Sequence, residues 1–191
     1  MSTVDANRVI LTGENSVIRL SNNDSDTFTT NATFWRVLSC AGGPGHVLYL
    51  KSELTEARWR IYSDNIAMAR WLQSTVLGAI NSELLDLTIA VTDTQFSHSG
   101  NARDFWTERL DTRDEQIELT WYEMGEPLLV HTQPNAIPGV PMECARCLSP
   151  RSVCTAHPQR DRGPRSALAE GAGRSSFQHL RTGIMRELDA G

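Results

Sequence analysis

The sequence has no hydrophobic run of the roughly 18 residues that a membrane helix requires. Its amino-terminal residues carry Asp5 and Arg8, and no apolar stretch follows a basic end as it would in a secretory leader. We therefore expect a soluble, cytoplasmic protein that does not contact a membrane.

Positive charge is also scarce. The 18 Lys and Arg residues are outnumbered by 23 Asp and Glu, which gives a net charge of −5 and excludes a generally basic nucleic-acid binder. With 40% hydrophobic and 21% charged residues, the chain is too apolar to be wholly disordered. A length of 191 residues suits one ordinary hydrophobic core.

Several catalytic motifs are missing. The sequence contains no glycine-rich phosphate loop at a strand–helix junction, no GxSxG and no Cys–His pattern of known spacing. The sequence therefore argues against nucleotide-dependent chemistry and against an α/β-hydrolase. We predict no cofactor.

Hydrophobic residues mostly alternate along the first 140 positions, which is typical of β-strands with one buried face. A turn is expected at 12–15, and apolar residues at three- and four-residue spacing predict a helix over 65–81 with Asp64 as its N-cap. The sequence thus predicts an α+β fold for a ligand-binding domain over 1–140, a mainly antiparallel β barrel or half-barrel packed on one long helix. The strands are expected at 8–11, 17–20, 34–40, 46–52, 58–62, 87–94, 104–110, 116–122 and 128–131.

Four ionisable residues stand where strand alternation turns them toward the apolar side. Glu108 is in phase with Trp106, Asp93 ends an apolar run, and His46 and His131 are in phase with leucines. Because burial raises the pKa of a carboxyl group toward neutrality, Glu108 and Asp93 are the candidate acid and base. His46 and His131 are candidate proton carriers.

A structural interpretation competes with the catalytic one. Glu108 is equally suited to pair with Arg36 or Arg109 at a strand end, and each histidine to be a hydrogen-bonded residue at the rim of the core. Large aromatic residues on strands can line an apolar ligand cavity, although they are more often plain core residues. The candidate cavity walls are Trp59, Trp106 and Trp121.

The composition changes near the end of the chain. Residues 1–141 hold 10 basic and 18 acidic side chains, whereas residues 142–191 hold 8 and 5 and are rich in Arg, Pro, Gly, Ser and Cys. Such a segment buries little apolar surface, so an irregular tail is predicted over 141–191. Arginine outnumbers lysine 17 to 1, as in a GC-rich gene, so a shifted reading frame is an alternative origin of this tail.

The tail also contains a possible metal motif. Cys144 and Cys147 form a CxxC pair, and Cys154 and His157 follow as CxxH after six residues. Ligands spaced two apart suit a tetrahedral zinc ion. The gap of six is shorter than the ~12 to 20 residues of ordinary zinc modules, so a chance arrangement of these residues is the alternative explanation.

The residues favour a small soluble protein that binds a small apolar organic ligand. If it is an enzyme, we expect acid–base chemistry without a cofactor, as in a lyase, isomerase or hydrolase. One alternative is a non-enzymatic subunit of a homo-oligomer, paired through a sheet edge left open after His131. The other is a zinc-stabilised interaction module.

Overall fold

The computed structural model describes the backbone of residues 9–21, 28–101, 104–124, 128–132, 143–149, 151–160 and 179–186. Side chains are described for 10–20, 28–53, 55–101 and 104–122. No helix among these residues is long and apolar enough to cross a membrane.

Strands dominate the described residues. In chain order they are β1 (Val9–Ser21), β2 (Phe28–Ser39), β3 (Gly45–Ser52), β4 (Trp59–Ser63), β5 (Val91–Asp93), β6 (Gln95–Gly100), β7 (Phe105–Asp111), β8 (Glu115–Met124), β9 (Leu128–Thr132), β10 (Glu143–Ser149), β11 (Arg151–Arg160) and β12 (His179–Arg186). The helical segment consists of α1 (Ile66–Leu72), a π turn (Gln73–Leu77) and α2 (Gly78–Ile80). Short 3₁₀ turns occupy Glu53–Thr55 and Ser82–Leu85.

The strands form two open sheets. Eight of them lie in the order β5-β4-β3-β2-β1-β12-β10-β9, and four in the order β11-β8-β7-β6. All neighbours are antiparallel except β4 and β5. The mainly antiparallel α+β class is confirmed, but a closed barrel is wrong, because both sheets end in edge strands among the described residues. The half-barrel stays a prediction.

Around β3, the eight-stranded sheet is covered on both faces. Four consecutive residues of β3, Val47–Leu50, are buried. Val47 and Tyr49 pack toward the helical segment, while Leu48 and Leu50 pack toward the second sheet. A sheet that is apolar on both sides is stable as the middle of three layers and needs no closure.

Two clusters of buried side chains follow from this layering. The helix-side core comprises Leu11, Trp35, Val37, Val47, Tyr49, Ile61, Met68, Ala69, Leu72, Val76, Leu77 and Leu84. The inter-sheet core comprises Ile18, Ala32, Phe34, Leu48, Leu50, Tyr62, Leu110, Ile117, Leu119 and Trp121.

The helix predicted over 65–81 is present as a shorter, interrupted segment with a π turn in its middle. Its N-cap is Asn65, whose side chain accepts a hydrogen bond from the Met68 amide at 3.1 Å. The assignment of the cap to Asp64 was wrong, because the Asp64 carboxylate is already bound to His46.

The turn expected at 12–15 is also wrong, since β1 continues through it. A Cβ atom at Gly13 would lie 2.4 Å from the Arg36 carbonyl oxygen, so this glycine allows close approach of β2 and does not mark a turn.

The prediction of an irregular tail is wrong for the residues that form β10, β11 and β12. There β12 pairs with β1, β10 pairs with β9 and β12, and β11 pairs with β8. Strand pairing uses backbone groups, and β1 and β8 offer edges that an Arg- and Gly-rich strand can join. The division of the chain near residue 140 and the shifted reading frame stay predictions.

Candidate functional site

Glu108 is a charged residue placed between the two sheets. On β7, Glu108 lies on the same face as Trp106 and Leu110, and Leu110 belongs to the inter-sheet core. This alternation turns the Glu108 side chain inward, where it is only 3% exposed. The carboxyl group therefore lies in an apolar layer with little access to water.

The two oxygens of Glu108 have different surroundings. Oε1 accepts hydrogen bonds from the indole Nε1 of Trp106 at 2.7 Å and from Nη2 of Arg36 at 2.8 Å. Oε2 is buried and has no hydrogen-bond partner among the described residues. Buried polar atoms without a partner are rare in proteins, and a catalytic role is one explanation for them.

Arg36, on β2, links Glu108 to three more elements. Its Nη1 donates to Glu14 of β1 at 3.1 Å, and its Nε donates to Nε2 of His46 of β3 at 3.3 Å. The guanidinium carbon lies 5.8 Å from the centre of the Trp106 ring. Each guanidinium nitrogen thus has its own acceptor, which fixes the plane of the group.

The proton position on His46 follows from these bonds. Arginine has no acceptor atom, so Nε2 of His46 accepts and the neutral ring carries its proton on Nδ1. Nδ1 then donates to Oδ2 of Asp64 at 2.7 Å. Both ring nitrogens are therefore occupied, and His46 is suited to orienting Arg36 more than to carrying a proton.

Burial controls the protonation of Glu108. Its pKa is raised from 4.5 to about 7, mainly by loss of solvation and in smaller part by Glu14. The Trp106 hydrogen bond and the positive charge of Arg36 oppose the rise without cancelling it. A carboxyl group with such a pKa can both give and take a proton near neutral pH.

Aromatic rings flank this group. The His46 ring stacks on Phe96 at 5.2 Å and lies 6.3 Å from Phe34, while the His98 ring stacks on Trp106 at 4.8 Å. Burial lowers the pKa of His98, and the charge of Arg36 lowers it further, which favours the neutral ring.

We call these residues the inter-sheet polar cluster: Glu14, Arg36, His46, Asp64, His98, Trp106 and Glu108. Side-chain exposure rises from 3% at Glu108 to 17% at Arg36 and to 29% and 30% at His46 and Glu14. The cluster therefore opens to solvent on the side of His46 and Glu14, with Glu108 at its inner end.

The structure does not bring Asp93 into the cluster. Asp93 is exposed at the end of β5 and lines an open cleft of about 980 Å³ beside the β7–β8 turn. No hydrogen bond or ion pair from a described residue reaches its side chain. Its predicted partnership with Glu108 has no geometric support.

The three tryptophans are also divided. Trp106 and Trp121 are opposite each other in the β7–β8 register, and Trp121 is fully buried. Trp59 lines a different cleft of about 740 Å³, where its indole donates to Glu83 at 2.7 Å. Trp106 contacts Glu108, whereas Trp59 lies at a separate cleft, so the three do not line one shared cavity.

The remaining predicted site residues lie on strands whose side chains fall outside the described residues. His131 is on β9, Cys144 and Cys147 are on β10 of the first sheet, and Cys154 and His157 are on β11 of the second. Among the side chains that are described, no three His, Cys, Asp or Glu residues are grouped to hold a metal ion. The zinc site stays a prediction.

Four members of the cluster were missed as site residues by the sequence interpretation, and of these Arg36 was named only as a structural partner of Glu108. His98 could have been found from the sequence, because it lies on the same face of β6 as Phe96. Glu14 was assigned to a turn, and Asp64 was assigned to a helix cap, which hid the contacts of both with other strands.

Comparisons with known proteins assign no family to this chain. No family model matches the sequence, and no curated protein matches it. An acetoacetate decarboxylase from Legionella pneumophila superposes with a TM-score of 0.43 and 8% identity over 98% of this chain and 89% of that one. A second acetoacetate decarboxylase structure gives 0.41 and 8% over 93% and 85%.

Proposed function

We propose that this protein is an enzyme that transfers protons to or from a small organic molecule without a cofactor, with Glu108 as the catalytic acid–base. One observation carries the proposal: a nearly buried carboxyl group has one oxygen tied by two donors and the other oxygen without a partner. Its pKa of about 7 supplies both protonation states at neutral pH.

The two oxygens have separate roles in this proposal. Trp106 and Arg36 hold Oε1 and so fix the orientation of the carboxyl group. Oε2 is then the atom that exchanges a proton with the substrate. In this proposal His46 orients Arg36, because its ring nitrogens contact Arg36 and Asp64.

The charges of the cluster favour an uncharged substrate. Within the cluster, Glu14 and Asp64 are carboxylates and Arg36 is the one cation. Glu108 adds a further negative charge whenever it is ionised. An anionic substrate would be repelled by this set. The flat faces of Phe96, His98 and Trp106 suit a small, partly apolar carbonyl compound.

The test uses a panel of uncharged ketones, aldehydes and esters in D₂O, followed by proton NMR for α-deuteration, isomerisation or hydrolysis. We expect the wild type to convert at least one member, with a rate that changes through a single ionisation near pH 7. Glu108→Gln keeps the shape of the group and should lower that rate at least about 100-fold.

Glu115→Gln is the matched control, since Glu115 also faces an arginine of the first sheet across the two sheets. It should leave the rate within a factor of two. Equal rates for the wild type and Glu108→Gln, or no conversion of any member of the panel, would contradict the enzyme proposal.

A non-enzymatic subunit is the second candidate. In the described part of the chain, β9 (Leu128–Thr132) pairs with β10 on one side and has an open edge on the other. Such an edge suits pairing with a second copy of the chain. Sedimentation velocity at micromolar concentrations tests it: a dimer supports this candidate, and a monomer contradicts it.

A further inference from the structure

We infer that Asp64 and His46 are positioning residues that hold the Arg36 guanidinium in place and so keep Glu108 Oε1 occupied while Oε2 stays without a partner. The catalytic meaning of this arrangement rests on the proposed function of Glu108. The chain of bonds itself is independent of any substrate.

The first link is a two-point contact between Asp64 and His46. Oδ1 of Asp64 accepts from the His46 amide at 2.6 Å, and Oδ2 accepts from Nδ1 of the ring at 2.7 Å. A Cβ atom at Gly45 would lie 2.7 Å from Asp64 Oδ1, so the glycine allows β3 to approach the carboxylate. This pair fixes both the backbone and the ring of His46.

The loop that carries Asp64 is itself anchored. Asn65, the next residue, donates from its side chain to the carbonyl oxygens of Gly42 at 3.1 Å and Pro44 at 2.8 Å. Its side-chain oxygen caps α1. Asp64 therefore lies between a capped helix and a bound loop, which makes it a rigid support for His46.

The second link connects His46 to Arg36. The two residues are directly opposite each other in the β2–β3 register, and Arg36 Nε donates to His46 Nε2 at 3.3 Å. The His46 ring stacks on Phe96 at 5.2 Å and on Phe34 at 6.3 Å, and these contacts restrict its rotation. His46 thus presents an acceptor to the inner nitrogen of the guanidinium.

The third link crosses from the first sheet to the second. With Nε held by His46 and Nη1 held by Glu14, Nη2 of Arg36 is directed at Glu108 Oε1. Loss of the Nε acceptor leaves the guanidinium with one fixed point besides Glu108, so it can rotate away. The Glu108 carboxylate would then lose a stabilising donor, and its proton affinity would rise.

The charge of Asp64 and its positioning role predict opposite changes in the Glu108 pKa, so a measurement of that pKa separates the two explanations. Among the described side chains, the titratable and charged groups that face Glu108 are Glu14 of β1, Arg36 of β2, His46 of β3 and His98 of β6, with Asp64 behind His46. Removing the negative charge of Asp64 would by itself lower the Glu108 pKa. Loss of positioning raises it.

The experiment is a ¹³C NMR titration of the Glu108 carboxyl carbon in glutamate-labelled protein. Asp64→Asn and His46→Phe should each raise the Glu108 pKa by about 0.5 unit or more, since both weaken the hold on Arg36. His46→Gln supplies an amide oxygen in place of Nε2 and should restore at least half of that rise. Asp93→Asn, an exposed aspartate outside the cluster, should leave the titration unchanged.

The outcomes distinguish the two proposals. An unchanged or lowered Glu108 pKa in Asp64→Asn, or equal values for His46→Phe and His46→Gln, overturns the positioning role. If Asp64→Asn does not fold, the two His46 variants decide the question. A wild-type Glu108 that titrates near 4.5 overturns the proposed function instead, whatever the variants show.

Discussion

Among the described side chains, two arginine–glutamate pairs connect the eight-stranded sheet to the four-stranded sheet, and they differ mainly in burial. Arg36 and Glu108 are 2.8 Å apart, and the glutamate side chain is 3% exposed. Arg60 and Glu115 are 3.6 Å apart, and that glutamate is 20% exposed. The same two residue types thus meet across the same two sheets in a nearly dry and in a half-exposed environment.

The partners of the two glutamates differ as well. Glu115 also accepts a hydrogen bond from the Tyr62 hydroxyl at 2.8 Å. Burial, followed by this bond, raises the Tyr62 pKa to about 12, so the hydroxyl stays protonated and the contact is structural. Glu108 instead keeps a buried oxygen without a partner. Burial and incomplete bonding together distinguish a candidate catalytic carboxyl from a structural one.

The largest expected effect comes from removing each arginine. Arg36→Met leaves Glu108 buried without its cation, and we expect a loss of about 3 kcal/mol or more in unfolding free energy at pH 8. Arg60→Met removes a half-exposed pair and should lose less than about 1 kcal/mol. Urea unfolding of both variants measures the difference, and similar losses would show that burial does not separate the pairs.

The pH dependence of stability gives the next largest effect. Because the folded-state pKa of Glu108 is raised from 4.5 to about 7, its stabilising proton is bound below pH 4.5 and lost as the pH rises through 7. Glu108→Gln carries no such proton, so its stability relative to the wild type should increase by about 2.5 kcal/mol between pH 5 and pH 8. Thermal or urea unfolding at both pH values measures this change.

Glu115→Gln serves as the control for that series. It alters a half-exposed pair, so its stability relative to the wild type should differ by less than about 1 kcal/mol at either pH. A Glu108→Gln variant whose relative stability is the same at pH 5 and pH 8 would contradict the account of Glu108.

A smaller effect is expected from the indole donor. Trp106→Phe keeps the ring but removes the hydrogen bond to Glu108 Oε1, so the Glu108 pKa should rise and stability at pH 8 should fall by about 1 kcal/mol. Trp59→Phe removes a comparable bond to the exposed Glu83 and should have no measurable effect. Equal effects of the two variants would remove the Trp106 contact from the site.

Much of this arrangement could be inferred from local alternation. Glu108 and His46 were selected because they are in phase with apolar residues on true strands, and both lie in the cluster. Asp93 was selected by counting alternation from Leu87, but residues 87–90 form turns, so the pattern defined no face. Alternation identifies an inward side chain only where the backbone is a strand.

The pairing of Glu108 with Arg36 was considered from the sequence but could not be decided there. The two residues are 72 positions apart, and they meet only because separate sheets stack face to face. No spacing rule encodes such a contact. The open form of the sheets was missed for a related reason, since a period of two does not reveal that a second layer covers the other face of β3.

The most direct test of the account is the titration of Glu108 in the wild-type protein, followed through its carboxyl ¹³C shift between pH 3 and pH 9. The account predicts a midpoint near pH 7, about 2.5 units above the ordinary glutamate value. A midpoint near 4.5 would contradict it, because Glu108 would then be an ordinary ionised partner of Arg36 with no proton to transfer at neutral pH.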